Sequence, residues 1–246
     1  MKFWKKLFPN HRPAHPYCSA LIAAAGSSRR MEGENKLLLP LGGKPVIVHT
    51  LEAMDASPSI REIILAVREE DLLRFAELCK TYEIKKPVKV IVGGKTRTES
   101  VLRAAAEANE NADLLAVQDG ARPFVTPELI ERVIEAARVN FAAAPAIPVK
   151  DTIKVAENGV VRETPDRSTL YAVQTPQVFD AQLLRAALQS AVDADAELTD
   201  DCSAVERMGK EIYLTEGSEE NIKLTTPMDL FFARAILERR EVQGSL

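Results

Sequence analysis

The chain has 246 residues, of which 46% are hydrophobic and 28% charged, so it can bury the core of one large domain beneath a soluble surface. Its net charge of −4 argues against a general nucleic-acid binder, and its aromatic content of 5% argues against platforms that stack single strands. No run of residues is long and apolar enough to span a bilayer, and we see no secretory signal sequence. The three cysteines are widely spaced, which favours a reducing compartment and predicts a cytoplasmic protein.

Residues 1–17 precede the first predicted strand, and we interpret them as an N-terminal extension to a domain that spans residues 18–246. One helical face of this extension is apolar and consists of Phe3, Trp4, Leu7 and Phe8. The opposite face carries three lysines, and a short basic amphipathic helix of this kind can lie on an anionic membrane. The alternative is a loose or self-docked segment, which is the ordinary behaviour of chain termini.

The first predicted strand, residues 18–22, runs into a loop at residues 23–36 with the sequence AAAGSSRRMEGENK. Its small residues let the backbone approach a ligand closely, and Gly26 can adopt a positive φ if the turn requires it. Backbone N–H groups in such a turn can bind phosphate oxygens, and Arg30 and Lys36 add positive charge. The loop therefore predicts a nucleoside triphosphate site, the alternative being an ordinary solvated loop with surface cations.

Helices and strands alternate along the next hundred residues. We predict helices at residues 46–54, 70–80, 98–108 and 126–140, and strands at residues 63–67, 88–92, 114–117 and 142–149. This alternation predicts an α/β fold with a doubly wound, mostly parallel sheet. Such sheets bind ligands at the carboxyl ends of their strands. The opening loop, Gly94 and Asp119 each follow a predicted strand, so we expect them to converge on one crevice.

Residues 150–170 interrupt the alternation with a polar segment. Two runs at residues 149–155 and 160–164 flank the turn sequence ENG at residues 157–159, which predicts a β-hairpin. A hairpin that has no core of its own needs a partner surface, so this arm should pack on a second subunit. The remaining predicted elements are helices at residues 180–191 and 200–208, a strand at residues 211–214 and a final helix that begins at residue 226.

Eight short motifs follow one another in order along the chain. They are AAGSSRRM at 24–31, GKTRTESV at 94–101, DGARP at 119–123, KDTIK at 150–154, DRS at 166–168, QTPQ at 174–177, LTDD at 198–201 and NIKLT at 221–225. Together, at these spacings, they resemble the 2-C-methyl-D-erythritol 4-phosphate cytidylyltransferases of the non-mevalonate isoprenoid pathway. The resemblance extends over residues 18–238, which is nearly the whole chain.

This resemblance implies an activity and an architecture. The reaction would convert CTP and 2-C-methyl-D-erythritol 4-phosphate, a sugar-alcohol phosphate, into 4-diphosphocytidyl-2-C-methyl-D-erythritol and pyrophosphate, with Mg²⁺ or another divalent cation as cofactor. The fold would be a Rossmann-like sheet from which the arm at about residues 150–170 protrudes and interlocks a homodimer.

The resemblance also implies three sets of site residues. The catalytic cations would be Arg30, Lys36 and Lys223. The nucleotide would lie against Ala24, Ala25, Gly26, Gly94 and Ser100. The substrate-binding set would be Asp119, Thr152, Arg167, Thr175 and Thr199.

The charges suit the chemistry of this reaction. A phosphate monoester is mostly ionised near neutral pH, so its attack on the α-phosphorus of CTP needs little help from a base. Repulsion between the two anions opposes the reaction, so positioned cations should carry the catalysis. Mg²⁺ prefers oxygen ligands and retains water, so we expect the phosphates to hold most of it. Asp119 is the candidate carboxylate near it; alternatively this side chain binds a sugar hydroxyl or caps its own turn.

The chain departs from the family pattern at Asn35, Leu37, Lys95 and Gly120. The family usually has proline before the lysine that corresponds to Lys36, and residues 35–45 look more like the molybdenum-cofactor cytidylyltransferases. The alternatives are therefore a cytidylyltransferase for ribitol 5-phosphate or the molybdenum cofactor, or a nucleotide-binding homologue without turnover. The retained cations and Asp119 argue against the last of these.

Overall fold

A computed structural model describes residue 13, residues 15–26 and residues 35–244. The predicted amphipathic segment lies outside the described residues, so its membrane contact and the division of the chain at residue 17 stay predictions. Within the described part of the chain, no helix combines the length and apolarity needed to cross a membrane.

Twelve strands and seven helices make up the described fold. The strands are β1 Cys18–Ala23, β2 Pro40–Leu41, β3 Lys44–Pro45, β4 Ile60–Val67, β5 Val88–Val92, β6 Leu114–Asp119, β7 Ala142–Pro148, β8 Val155–Glu157, β9 Val160–Glu163, β10 Tyr171–Val173, β11 Gln177–Asp180 and β12 Tyr213–Glu216. The helices are α1 Val46–Ala56, α2 Leu72–Thr81, α3 Arg97–Glu107, α4 Pro127–Asn140, α5 Ala181–Asp193, α6 Asp201–Arg207 and α7 Pro227–Gly244. Short 3₁₀ turns occur at Lys36–Leu38, Glu69–Asp71 and Arg167–Thr169.

An eight-stranded sheet forms the centre of the molecule, and the predicted α/β class is confirmed. Strands β5, β4, β1 and β6 lie side by side and run parallel. Strand β11 then pairs antiparallel with both β6 and β7, and β10 and β12 also pair with β7. The parallel part of the sheet places the ends of β1, β5 and β6 at one edge, where ligands of such sheets bind.

Both faces of the sheet are covered by helices. On β6, Leu114 and Ala116 pack into the core beneath α1, α2, α4 and α7, whereas Leu115 and Val117 pack beneath α3, α5 and α6. Strands that are buried on both faces appear in a sequence as unbroken apolar runs, which is why β1, β4 and β6 could be predicted.

The polar arm differs from its predicted form. Strands β8 and β9 pair antiparallel around Asn158 and Gly159, whose φ angles are 51° and 79°, as a tight hairpin turn requires. The prediction of a strand over residues 149–154 is wrong, because pairing begins only at Val155. Residues 151–163 are all exposed, so the hairpin has no apolar layer of its own, and its use in dimerisation stays a prediction.

The turn between β2 and β3 offers a test of how α7 is packed. Gly42 and Gly43 have φ angles of 57° and 82°, which cost other residues about 1–2 kcal/mol each. A Cβ on Gly42 would clash with Leu237 Cδ2, whereas a Cβ on Gly43 would meet nothing within 4 Å. Gly43→Ala should therefore lower the free energy of unfolding by the backbone cost alone. Gly42→Ala should lower it slightly more, because the end of the flexible Leu237 side chain has to turn aside. Equal urea midpoints for the two variants would contradict this packing of α7.

Candidate active site

The loops that follow β1, β5 and β6 are held together by backbone hydrogen bonds. Ala24 N donates to Ala66 O at 2.8 Å, Gly93 N to Val67 O at 2.8 Å, and Gly120 N to Ala23 O at 3.1 Å. They enclose a cleft of about 400 Å³, a volume typical of small-molecule sites. Its lining includes the predicted residues Ala24, Ala25, Gly26, Lys36, Gly94, Ser100, Asp119 and Lys223. Of the predicted catalytic residues, Arg30 lies outside the described part of the chain.

The turn at Gly93 and Gly94 approaches its neighbours too closely for side chains. A Cβ on Gly93 would lie 2.7 Å from Ala25 Cβ, and one on Gly94 would clash with Glu99 Cβ. The buried hydroxyl of Ser100 donates to Thr96 O at 2.8 Å and accepts from Gly94 N at 3.0 Å. The cleft wall is therefore mainly backbone here, and Ser100 sets its shape by holding the turn.

A cluster of charges lies on the floor of the cleft. Asp119 is 7% exposed; Lys223 Nζ lies 2.8 Å from its Oδ2, and Arg97 Nη2 lies 3.5 Å from its Oδ1. The same Arg97 Nη2 lies 2.7 Å from Oδ2 of the buried Asp201. Arg122 Nε lies 3.7 Å from Asp119 Oδ2. Negative charge is thus embedded in a larger positive field, which suits a site for phosphates.

Opposing effects act on the pKa values of this cluster. Burial by itself would raise the pKa of Asp119, but Lys223 and Arg97 outweigh it and hold that pKa below its usual range. Burial would lower the pKa of Arg97, but Asp201 and Asp119 more than offset it and raise that pKa. Both groups are therefore charged near neutral pH.

A second, smaller cavity of about 130 Å³ adjoins the cleft and shares Arg97, Asp119 and Lys223 with it. Its other lining residues are Arg122, Val173, Gln174, Thr175, Gln177, Thr199 and Asp200. Asp119 N donates to Thr175 Oγ1 at 3.1 Å, and the buried Arg122 Nε has no hydrogen-bond partner in the described part of the chain. Two of the predicted acceptor-site threonines, Thr175 and Thr199, thus lie beside the charge cluster.

Two predicted acceptor residues lie elsewhere. Thr152 and Arg167 are exposed on the arm, and neither is among the described residues that line these two cavities. Arg167 Nη1 instead donates to Lys150 O at 2.8 Å. The arm of a chain therefore does not bring either residue to the cleft of the same chain in this conformation.

Four residues that shape the site were not predicted for it: Arg97, Arg122, Asp201 and Asn221. All four lie in the motifs GKTRTESV, DGARP, LTDD and NIKLT, and these motifs were the signal by which they could have been found. Asn221 is fully buried, and its Nδ2 donates to Thr175 O at 2.9 Å while its backbone carbonyl accepts from Arg122 Nη1 at 2.6 Å. It joins the two walls of the smaller cavity through contacts that no local pattern shows.

The donor set suits a metal carried by a nucleotide. Among the described residues, no group of three or more His, Cys, Asp or Glu side chains could hold a metal ion. Asp119 is the one predicted carboxylate in the cleft, and it is paired with cations. A hard cation at this place would take most of its ligands from phosphates and water, which is typical of Mg²⁺.

Comparisons with known proteins find the same family over most of the chain. A family model described as 2-C-methyl-D-erythritol 4-phosphate cytidylyltransferase matches residues 18–239. A protein of that name from Bacillus cereus (strain ATCC 10987 / NRS 248) is 47% identical over 218 residues, which are 88% of this chain and 96% of that protein. Another, from Halalkalibacterium halodurans, is 42% identical over 224 residues, which are 91% of this chain and 98% of that protein.

Solved structures give the same result. The 4-diphosphocytidyl-2C-methyl-D-erythritol synthase of Anaerococcus prevotii DSM 20548 has a TM-score of 0.83 at 31% identity, covering 91% of this chain and 97% of that one. The 2-C-methyl-D-erythritol 4-phosphate cytidylyltransferase of Thermus thermophilus has a TM-score of 0.74 at 34% identity, with coverages of 89% and 98%.

Proposed function

The chain belongs to the 2-C-methyl-D-erythritol 4-phosphate cytidylyltransferase family, and from this premise we propose how its cleft transfers CMP from CTP to the acceptor. The enzyme is a nucleotidyltransferase of isoprenoid precursor biosynthesis, with 4-diphosphocytidyl-2-C-methyl-D-erythritol and pyrophosphate as products. The observation that carries this function is the family match over residues 18–239, which includes every described residue that lines the cleft.

The larger cavity takes CTP in this proposal. Ala24, Ala25, Gly26 and Gly94 offer backbone surface to the nucleoside, because none of them has a side chain larger than a methyl group. Ser100 preserves the shape of this wall through its two hydrogen bonds. The triphosphate extends toward Lys36, which lines the same cavity. Arg30, which lies outside the described residues, is the second cation proposed for it.

The smaller cavity takes the acceptor. Asp119, Thr175 and Thr199 offer oxygen atoms to its hydroxyl groups, and the cations around them attract its phosphate. Lys223 belongs to both cavities, so it lies where the acceptor phosphate meets the α-phosphate of CTP.

The chain contributes positioning and charge to the chemical step. An oxygen of the acceptor phosphate forms a bond to the α-phosphorus, and the bond from that phosphorus to the pyrophosphate oxygen breaks. Lys223 screens the repulsion between the two anions, and Lys36 neutralises charge that develops on the departing pyrophosphate. Asp119 is ionised at neutral pH and fixes the ammonium group of Lys223 by their 2.8 Å contact. Mg²⁺, when bound, withdraws further charge from the phosphates.

The working unit is a homodimer in this proposal. Thr152 and Arg167 lie on an exposed arm away from their own cleft, so a second subunit would receive them in its acceptor site. A twofold axis makes this exchange reciprocal. We also place the enzyme in the cytoplasm, where the buried free thiols of Cys18, Cys79 and Cys202 stay reduced.

An acceptor series tests the function. Pyrophosphate release from CTP and Mg²⁺ should require 2-C-methyl-D-erythritol 4-phosphate and stay at background with ribitol 5-phosphate or a molybdopterin-type acceptor. Product mass should show one CMP added to the acceptor. Release that is faster with either of the other acceptors would reassign the substrate, and no release with any acceptor would overturn the activity.

A further inference from the structure

Asn35, the residue before Lys36, makes hydrogen bonds through both the oxygen and the nitrogen of its side-chain amide. Asn35 is the N-cap of the 3₁₀ turn Lys36–Leu38, and its Oδ1 accepts from Leu37 N at 3.1 Å. Its backbone carbonyl accepts from Leu38 N at 2.8 Å. This side of the amide is an ordinary turn cap, which fixes the local backbone of Lys36.

The other side of the amide reaches the turn that follows β4. Asn35 Nδ2 donates to Asp71 Oδ2 at 2.9 Å, and Asp71 is only 7% exposed. The same oxygen accepts from Arg68 Nε at 2.8 Å and lies 2.6 Å from Arg68 Nη2. Arg68 directly follows β4, so a chain of charge-assisted hydrogen bonds ties the Lys36 loop to a central strand.

The backbone of Asn35 has a conformation that a proline could share. A proline ring at this position would fix φ near −65°. Asn35 has a φ of −72° and a ψ of 100°, both of which proline can adopt. A proline ring at position 35 would therefore fix the φ that Asn35 adopts here.

We propose that Asn35, Asp71 and Arg68 form a clamp that positions Lys36 in the cleft. Lys36 lines the cavity on one side of the turn, and the clamp holds the residue directly before it. Leu37 is 4% exposed and anchors the same turn in the core, so the turn has an attachment besides the clamp. Loss of the clamp should therefore let the Lys36 side chain change its orientation while the fold is kept. This role rests on the proposed function of Lys36.

Removal of the amide should affect turnover more than binding. A misplacement of about 1 Å in a catalytic group can cost about 10²-fold in rate, so Asn35→Ala should lower kcat by about 10–10²-fold. KM for CTP should change by less than about threefold, because the backbone wall that receives the nucleoside is untouched. Asn35→Pro should restore kcat to within about threefold of the wild type, because the ring supplies the same φ.

A double-mutant cycle separates the clamp from general destabilisation. Asp71→Ala should lower kcat by a similar factor, and the double variant Asn35→Ala/Asp71→Ala should be no worse than either, because both remove one coupled contact. Asn140→Ala is the matched control, since its amide donates to Ala136 O on α4, away from the cavities described above. Multiplicative losses in the double variant, or an unchanged kcat in Asn35→Ala, would overturn the clamp. Wild-type turnover measured in the same assay keeps that failure separate from a failure of the proposed function.

Discussion

Replacing Lys36 by alanine should lower kcat by about 10²–10³-fold, the range seen when one preorganised stabilising group is removed. Lys36 lines the cleft that we propose for the triphosphate, where its charge would offset charge that grows on the departing pyrophosphate. The melting temperature should stay nearly unchanged, because the turn is anchored by the buried Leu37 and by Asn35. Steady-state kinetics with CTP and 2-C-methyl-D-erythritol 4-phosphate, with a thermal melt of the same sample, measure both quantities.

Lys44→Ala is the matched control for this substitution. Lys44 is the first residue of β3, and its Nζ contacts Glu52 Oε2 at 2.5 Å. It lines neither of the described cavities. Its loss should change kcat by less than about threefold, since a surface ion pair contributes little. A loss of less than about threefold in Lys36→Ala as well would remove Lys36 from the catalytic machinery.

The sequence predicted the parts of the fold whose cause is local. Strands β1, β4 and β6 are buried on both faces, so their apolar runs are visible without knowledge of their neighbours. Strand β11 was missed because it is four residues long and includes polar Gln177 and Asp180. It becomes a strand through pairing with β6 and β7, and the sequence of a short segment does not show such long-range pairing.

Features of the site could also be predicted only where their cause is local. Gly94 of the cleft wall could be predicted, because close approach of its neighbours demands a small residue at that position itself. The ion pairs of Asp119 with Lys223 and of Arg97 with Asp201 could not, because each joins residues from distant parts of the chain. Arg167 was predicted on the polar arm at residues 150–170, and it is exposed there.

The position of Arg167 leads to the second prediction of a large loss of activity, which concerns the proposed homodimer. Arg167→Ala should be almost inactive as a pure protein if its guanidinium holds the acceptor phosphate, for which a planar fork is well suited. The contact of Arg167 with Lys150 O lies within the exposed arm, so the fold should survive the substitution. A melting temperature close to that of the wild type would separate loss of function from unfolding. Size measurement in solution should give a dimer for this variant and for Lys36→Ala.

Mixing these two inactive variants should restore about a quarter of the wild-type activity, if Arg167 acts on the partner subunit. When equal amounts are unfolded and refolded together, about half of the dimers contain one chain of each kind. In such a dimer one cleft combines the intact Lys36 of one chain with the intact Arg167 of the other, and the second cleft carries both lesions. Mass measurement of the mixed dimer, with each variant refolded alone as control, establishes that exchange took place. If Arg167 serves its own chain, every cleft carries one lesion, and activity that stays at background in confirmed mixed dimers would disprove the exchange.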